Sequence, residues 1–412
     1  MLKDNSFKEK IIWNILGIGF NSFNSLFFMI IVTRINGIDD AGIFTIAFST
    51  ACILYMIGVY AGRIYQVTDL DKEITNKEYL ANRLITSTLI IVLVVIFNFI
   101  KGYNLFKSMT FLLLTLYKSL EAFSDVIYGI LQKNEKLEIV GKSLFFKSLI
   151  SLIIFTLVDI ITKNMIISII FVNIVNITLI IVFDIKKSKK YINFSIKVKK
   201  ENIIKIFKTG FFVFAVALLG VYVLNAPKYA IDNYLPNNYQ TIFGIIVMPA
   251  TVVGLVAQFI IHPYLNELVK LYEEKDLREF KKIIYRLIAI VSIFGIIATL
   301  LGYFLGTQVL SCIYGIDLGG YKIGLSIIII SATLYTIGVI YSSALTTVRE
   351  TFSQFIIYLI VSIVAYIISD VFTRKYNVNG AIIAYFVIML LQSLLYIIYS
   401  NVKFKKVFNY KE

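Results

Sequence analysis

The stretch from Asn225 to Pro263, NAPKYAIDNYLPNNYQTIFGIIVMPATVVGLVAQFIIHP, contains all four prolines of the 412-residue chain and its only histidine. Proline within a helix removes a backbone hydrogen bond and bends the helix axis. Inside a membrane, such breaks are tolerated mainly where the freed backbone faces protein or water. We therefore predict a pair of bent membrane helices here, with hinges at Pro227 and Pro249.

Outside this stretch the chain is also strongly apolar, with 58% hydrophobic and only 16% charged residues. That composition is too apolar for a soluble domain of this length. The apolar runs are continuous rather than alternating, which favours a helix bundle over a β-barrel. About twelve runs have the length of a membrane span, so the sequence predicts an all-α integral membrane protein with about twelve transmembrane helices.

The net charge of +15 is distributed unevenly along the chain. If the N-terminus is cytoplasmic, most of the 40 Lys and Arg residues fall in cytoplasmic segments. This positive-inside bias predicts that both termini are cytoplasmic. The basic loops are expected to attract anionic membrane lipids, and we expect no binding of nucleic acid.

The two halves of the chain repeat each other. A shift of 199 residues aligns Ile43–Ile46 with Ile242–Ile245, and further short matches follow in the same order. Six predicted spans separate the copies, so both copies have the same orientation, as in transporters with parallel repeats. We predict an N-lobe over residues 1–183 (spans one to six), a basic cytoplasmic linker over 184–207, and a C-lobe over 208–412 (spans seven to twelve) with a short cytoplasmic tail.

Charged residues inside predicted spans are the main functional signal. Lys118, Glu121 and Asp125 share one face of the fourth span. Charges at membrane depth are costly and are usually functional. Two interpretations stay open, a structural Lys118–Glu121 pair or a substrate site, and Glu121 and Asp125 are candidates for ion coupling. Asp125 could meet Lys147 of the fifth span, but we expect Lys147 to extend to the inner interface.

Asparagines within spans are a weaker polar signal. Asn21 and Asn24 lie on one face of the first span, and Asn225 lies in the seventh. Such residues either line a cavity or form interhelical hydrogen bonds. One histidine and two distant cysteines offer no His/Cys metal site, and no Gly-rich phosphate-binding loop precedes a helix. With no segment large enough for a catalytic domain, we expect no metal, no cofactor and no enzymatic activity.

An ordered set of motifs carries a family resemblance. The motifs are Arg34-x-x-Gly…Gly42-x-Phe, Gln132-x-x-Glu-Lys136, Asn225–Asp232, Met248-Pro249 and Val378–Ala384. Together they resemble the polysaccharide flippases (O-antigen, capsule and teichoic-acid types) of the multidrug/oligosaccharidyl-lipid/polysaccharide exporter superfamily. The resemblance implies two six-helix lobes around a central cavity, alternating access, and an undecaprenyl-pyrophosphate-linked oligosaccharide as cargo. It also implies a bacterial plasma-membrane location and contact with other polysaccharide-assembly proteins.

A pyrophosphate carries at least two negative charges, so its passage through a low-dielectric space needs cationic partners. The candidates are Arg34, Lys118, Lys228 and Arg63. Arg34 and Lys228 could equally be interfacial charges. The function expected is flipping of the lipid-linked oligosaccharide from the inner to the outer leaflet. The alternatives are a cation-coupled drug antiporter of the same superfamily and a membrane glycan polymerase or ligase, which the short outer loops disfavour.

Overall fold

The computed structural model describes residues 2–68, 74–191 and 198–408. Nearly all of these residues are helical, and none of them lies in a β-strand. The chain divides into two compact units, Met1–Leu218 and Leu219–Glu412. The predicted all-α fold is confirmed. Part of the predicted basic linker, residues 192–197, lies outside the described residues.

The first unit is built around one central helix. Its helices are α1 (Leu2–Ile35), α2 (Ile38–Val59), α3 (Gly62–Thr68), α4 (Asn76–Lys101), α5 (Leu105–Lys133), α6 (Leu137–Thr162), α7 (Met165–Leu179), α8 (Lys186–Ser188) and the first part of α9 (Lys200–Tyr234). The central helix is α5, which packs against α2, α4, α6 and α7. Polar residues on α5 are therefore surrounded by helices rather than by lipid.

Capping residues fix where α4 begins and ends and where α5 begins. The backbone N–H of Thr75 donates to Glu78 Oε2 at 2.6 Å, which fixes the start of α4. Gly102 ends that helix in the left-handed conformation (φ 62°). Two residues later, Asn104 accepts a hydrogen bond at 2.9 Å from the backbone N–H of Lys107 and begins α5.

The second unit packs around α14. After the end of α9 it contains α10 (Asn237–Ile261), α11 (Leu265–Glu273), α12 (Leu277–Leu301), α13 (Thr307–Tyr314), α14 (Lys322–Thr347) and α15 (Thr351–Phe408). α14 contacts α10, α12 and α15. Pro227 lies within α9 and Pro249 within α10. The hinge function of these two prolines stays a prediction.

The helix lengths agree with twelve spans. Ten helical stretches of the described residues are long and apolar enough to cross a membrane. α5 has the required length but carries Lys118, Glu121 and Asp125 in its interior. α15 is two helices, because its backbone is non-helical at Tyr376 and Asn377 and a straight helix of its 58 residues would be about 87 Å long. Adding α5 and counting α15 twice raises the ten spans to twelve.

The repeat predicted from the sequence has a structural counterpart. α2 ends at Val59, and Tyr60, Ala61 and Gly62 all adopt left-handed φ angles of 32°, 65° and 63°. The shift of 199 residues places Gly62 on Ile261, where α10 ends and a 3-10 turn, His262–Tyr264, begins. Both copies thus interrupt the same span at the same position. The first uses strained left-handed residues, and the second uses proline.

Candidate functional site

The middle of α5 holds a charged pair. Lys118 Nζ lies 2.6 Å from Glu121 Oε2, and the two side chains are only 13% and 19% exposed. The other carboxylate oxygen of Glu121 accepts a hydrogen bond from Asn21 Nδ2 at 3.1 Å. Asn21 in turn accepts from Ser148 Oγ at 3.0 Å. One continuous polar chain therefore links α1, α5 and α6 at this depth.

Aromatic rings surround the Lys118 ammonium. Its Nζ lies 5.0 Å from the ring centre of Phe48, 5.4 Å from Tyr55 and 5.7 Å from Tyr117. Cation–π attraction reduces the free-energy cost of holding a charge here. Asn24, the other asparagine predicted on this face of α1, donates to the Tyr117 hydroxyl at 3.3 Å. Asn21 and Asn24 thus form interhelical hydrogen bonds.

One turn further along α5, Asp125 pairs with an arginine that sequence reasoning did not select. Arg83 Nη2 lies 3.3 Å from Asp125 Oδ2, and Arg83 Nη1 donates to the carbonyl oxygen of Gly58 at 2.9 Å. Because α4 begins at Asn76, Arg83 lies two turns inside the helix and only 4% of it is exposed.

Lys147 does not extend to the membrane interface, and that expectation is wrong. Its ammonium is buried and bonds to the Asp184 carboxylate, to Ser124 Oγ at 2.7 Å and to the Tyr128 hydroxyl at 3.2 Å. Ser143 Oγ donates to the second oxygen of Asp184 at 2.5 Å. The proposed contact between Lys147 and Asp125 is also absent from the pairs that the described residues form. The physical reason is the position of Lys147 along the helix, because α6 begins at Leu137 and Lys147 lies ten residues inside it.

Asp159 is a second acidic residue that the sequence did not single out. Its side chain is fully buried near the end of α6. One carboxylate oxygen accepts from Asn36 Nδ2 at 3.3 Å and from Ser168 Oγ at 2.9 Å. The other oxygen has no hydrogen-bond partner in the described part of the chain. A carboxylate buried this completely requires a proton or a cation for neutralisation.

The second unit has a different polar character. All buried charged side chains of the described residues lie in the first unit. The second unit instead buries neutral groups, among them Tyr358, Tyr385, Tyr396 and Gln392, with Gln392 Nε2 donating to the Tyr358 hydroxyl at 3.3 Å. The two halves therefore differ in their electrostatic environment.

The remaining predicted site residues lie near helix ends or on helix surfaces. Arg34 is exposed in the last turn of α1, and Arg63 is half-buried at the start of α3, where it interacts with Asp125. Lys228 is half-buried on α9. Asn225 Nδ2 donates to the Val221 carbonyl of its own helix at 2.9 Å. The structure thus brings Lys118, Glu121 and Asn21 together.

Comparison with solved structures places this arrangement in a known fold. A multidrug resistance MATE family transporter of the MOP superfamily, in an inward-facing conformation, matches with a TM-score of 0.75 and 12% sequence identity over 97% of this chain and 100% of that chain. The lipid II flippase MurJ, in an inward closed conformation, matches with a TM-score of 0.71 and 18% identity over 96% of this chain and 90% of that chain. The chain has the MOP-superfamily fold.

A sequence relative adds a second line of comparison for this MOP-fold chain. The capsular polysaccharide biosynthesis protein CapF of Staphylococcus aureus is 26% identical over 359 residues, which cover 86% of this chain and 89% of the relative. No protein-family model matches the chain. The resemblance predicted from the motifs is confirmed at the level of the fold. The chain is a multi-pass membrane protein, and the MATE and MurJ neighbours are named as a transporter and a flippase rather than as enzymes.

Proposed function

We propose that the protein is a flippase that moves an undecaprenyl-pyrophosphate-linked oligosaccharide from the inner to the outer leaflet of the bacterial plasma membrane. Transport would proceed by alternating access and serve cell-surface polysaccharide biosynthesis, with both termini cytoplasmic. The observation that carries the proposal is Lys118, an ammonium group at the midpoint of α5 that is neutralised by a single side chain, Glu121. The full-length likeness to CapF and the fold of MurJ support it.

The chemistry of the Lys118–Glu121 pair suits an anionic cargo. Without cargo, Glu121 neutralises the ammonium and Asn21 holds the carboxylate in place. A phosphoryl oxygen carries the same charge as the carboxylate oxygen and can replace it against Lys118. The pyrophosphate then gains a buried cationic partner that offsets part of its desolvation cost. Arg34, Arg63 and Lys228 are proposed as further cationic contacts, and Asn225 as a polar one.

We expect Lys118→Gln to abolish flipping, because the cargo loses its buried counter-charge while a neutral, polar and nearly as long side chain remains. Lys118→Arg should retain part of the activity, since it keeps the charge. The measurement uses the purified protein in vesicles loaded with a fluorescent undecaprenyl-pyrophosphate-linked oligosaccharide. Dithionite added outside then reports the rate at which the label reaches the outer leaflet.

Lys136→Gln is the matched control, because Lys136 is a 40% exposed lysine in the turn after α5. It should flip at the wild-type rate. Wild-type rates for Lys118→Gln would remove Lys118 from the site, and Lys228→Ala in the same assay tests the second-unit candidate. If wild-type protein instead elongates glycan chains in the vesicles, the transport proposal fails in favour of a polymerase.

A cation-coupled drug antiporter is the second candidate, favoured by the likeness to the MATE transporter. An antiporter of cationic drugs would use Glu121 rather than Lys118 to hold its cargo. Drug efflux from a susceptible host, abolished by Glu121→Gln and retained by Lys118→Gln, would support this reading. The opposite ranking of the two variants supports the flippase.

Asp159 is our candidate for ion coupling, ahead of Glu121 and Asp125, because those two carboxylates already have cationic partners. We expect Asp159→Asn to remove the acceleration of transport by an imposed proton or sodium gradient. The amide can keep the contacts to Asn36 and Ser168, so the melting temperature should not fall. Asp39→Asn, an exposed change in the first turn of α2, is the control. An unchanged gradient response in Asp159→Asn would return the assignment to Glu121 and Asp125.

A further inference from the structure

The ion pairs of Lys147 and Arg83 in the first unit differ in how completely the cation is hydrogen-bonded. Lys147 has three acceptors, Asp184, Ser124 and Tyr128, one for each ammonium hydrogen. Its carboxylate partner is fully buried. That network is closed and leaves no donor for a ligand.

Arg83 is different because the donors on one edge of its guanidinium are not fully hydrogen-bonded. Nη1 is anchored on the Gly58 carbonyl oxygen at 2.9 Å. Nη2 makes one contact of 3.3 Å with Asp125, longer than a typical charge-assisted hydrogen bond of about 2.8 Å. Nε is buried and has no partner among residues 2–68, 74–191 and 198–408. The Nε and Nη2 groups form the side of the fork that binds carboxylate or phosphate through two parallel hydrogen bonds.

A buried N–H without an acceptor is costly, and a bidentate carboxylate would have removed that cost. Asp125 does not supply a bidentate contact, since its carboxylate accepts a hydrogen bond from Arg83 through Nη2 alone. The Asp125 side chain is also the more exposed member of the pair, at 17% against 5% for Arg83. Because Nε is buried, a ligand meets the Nε/Nη2 edge of Arg83 only by taking the position of the Asp125 carboxylate.

Asp125 has a second positive neighbour to which it can turn. Arg63 attracts the carboxylate electrostatically, and the chain just before Arg63 is close to it, since a Cβ on Gly62 would lie 3.9 Å from Asp125 Oδ2. Asp125 therefore keeps a partner when it leaves Arg83. Arg83 itself remains fixed through Gly58, whose carbonyl oxygen also accepts from Thr86 Oγ1 at 2.6 Å.

We propose that the Nε/Nη2 edge of Arg83 is a phosphate subsite for the lipid-linked substrate, with Asp125 as the resident counter-ion that the phosphate displaces. This inference rests on the proposed flippase function. Asp125 lowers the affinity for substrate and in return speeds its release, because the carboxylate restores the neutral pair when the phosphate departs. Arg83 is fixed by its Gly58 anchor, so the fork is already oriented when the phosphate arrives.

The test measures equilibrium binding of radiolabelled undecaprenyl pyrophosphate to the protein in phosphatidylcholine nanodiscs. Asp125→Asn should lower the Kd by about tenfold, because the competing charge is removed. Arg83→Lys keeps the charge and loses the fork, and should raise the Kd by about tenfold. Lys136→Gln should leave the Kd unchanged. Arg83→Lys and Asp125→Asn are chosen because each preserves part of the local hydrogen bonding.

Unchanged or weaker binding by Asp125→Asn overturns the inference, since the pair would then only hold α4 against α5. A parallel arm with radiolabelled phosphatidylglycerol separates the two sources of a lipid phosphate. An equal tightening for phosphatidylglycerol overturns the assignment to the lipid-linked substrate. If wild-type protein binds no undecaprenyl pyrophosphate, the proposed function fails, whereas wild-type binding without the Asp125→Asn effect fails the inference alone.

Discussion

Asp184→Asn should lower the free energy of unfolding by about 3–5 kcal/mol, the cost of leaving one member of a buried ion pair without its partner. The Lys147 ammonium would remain buried with Ser124 and Tyr128 as its neutral acceptors. Neither hydroxyl can neutralise it. Lys147→Met should destabilise the protein by a similar amount, because the Asp184 carboxylate is fully buried and would keep only the hydrogen bond from Ser143.

The double variant Lys147→Met/Asp184→Leu should be markedly more stable than either single variant. Replacing both charges with apolar groups of similar size removes the desolvation cost together with the attraction. The measurements are the thermal unfolding midpoint in detergent and the free energy from reversible denaturation in mixed micelles. The coupling between the two changes gives the interaction energy directly.

Lys142→Met is the control for this cycle. Lys142 lies on the same helix, α6, and also pairs with a carboxylate, Glu9, at 2.8 Å. That pair is 32% and 52% exposed, so its loss should change the stability far less than the loss of the buried pair. If Asp184→Asn is no more destabilising than Lys142→Met, the buried network does not hold α5, α6 and the helical segment after α7, Ile180–Ile185, together.

The spans and their repeat could be predicted from the sequence because they depend on local composition. Continuous apolar runs of membrane length determine the number of helices. The short matches between the halves anticipate the interruption after α2 and after α10 at equivalent positions. An ion pair within one helix could also be predicted from the sequence, because Lys118 and Glu121 are three residues apart. The structure contains this pair.

Pairing between helices could not be predicted, because it depends on how each helix is rotated and shifted against its neighbour. Arg83 and Asp125 are 42 residues apart, and Lys147 and Asp184 are 37 apart. An error of a few residues in a predicted helix start also changes the depth of a side chain. Lys147 is an example, since its expected place at the inner interface requires a helix that starts later than Leu137.

The contact between α1 and α6 depends on glycine, and we expect its loss to lower the stability of the protein. α1 and α6 approach each other at Gly17 and Gly141 so closely that a Cβ on Gly141 would lie 2.3 Å from the carbonyl carbon and oxygen of Trp13. A Cβ on Gly17 would lie 2.4 Å from the Gly141 carbonyl oxygen. Both obstacles are backbone atoms, which cannot move without the helix. Small residues allow this kind of approach in membrane helix pairs.

Gly141→Ala should therefore separate α1 from α6 by about 1 Å and destabilise the protein by about 1–3 kcal/mol, and Gly141→Leu should destabilise it more. α1 also carries Asn21, which holds Glu121 at 3.1 Å, so flipping should fall together with the melting temperature. Gly19→Ala is the control, because a Cβ there meets no atom within 4 Å. It should be neutral or slightly stabilising, since alanine favours the helix over glycine. Equal melting temperatures for Gly141→Ala and Gly19→Ala would show that the close contact does not constrain α1.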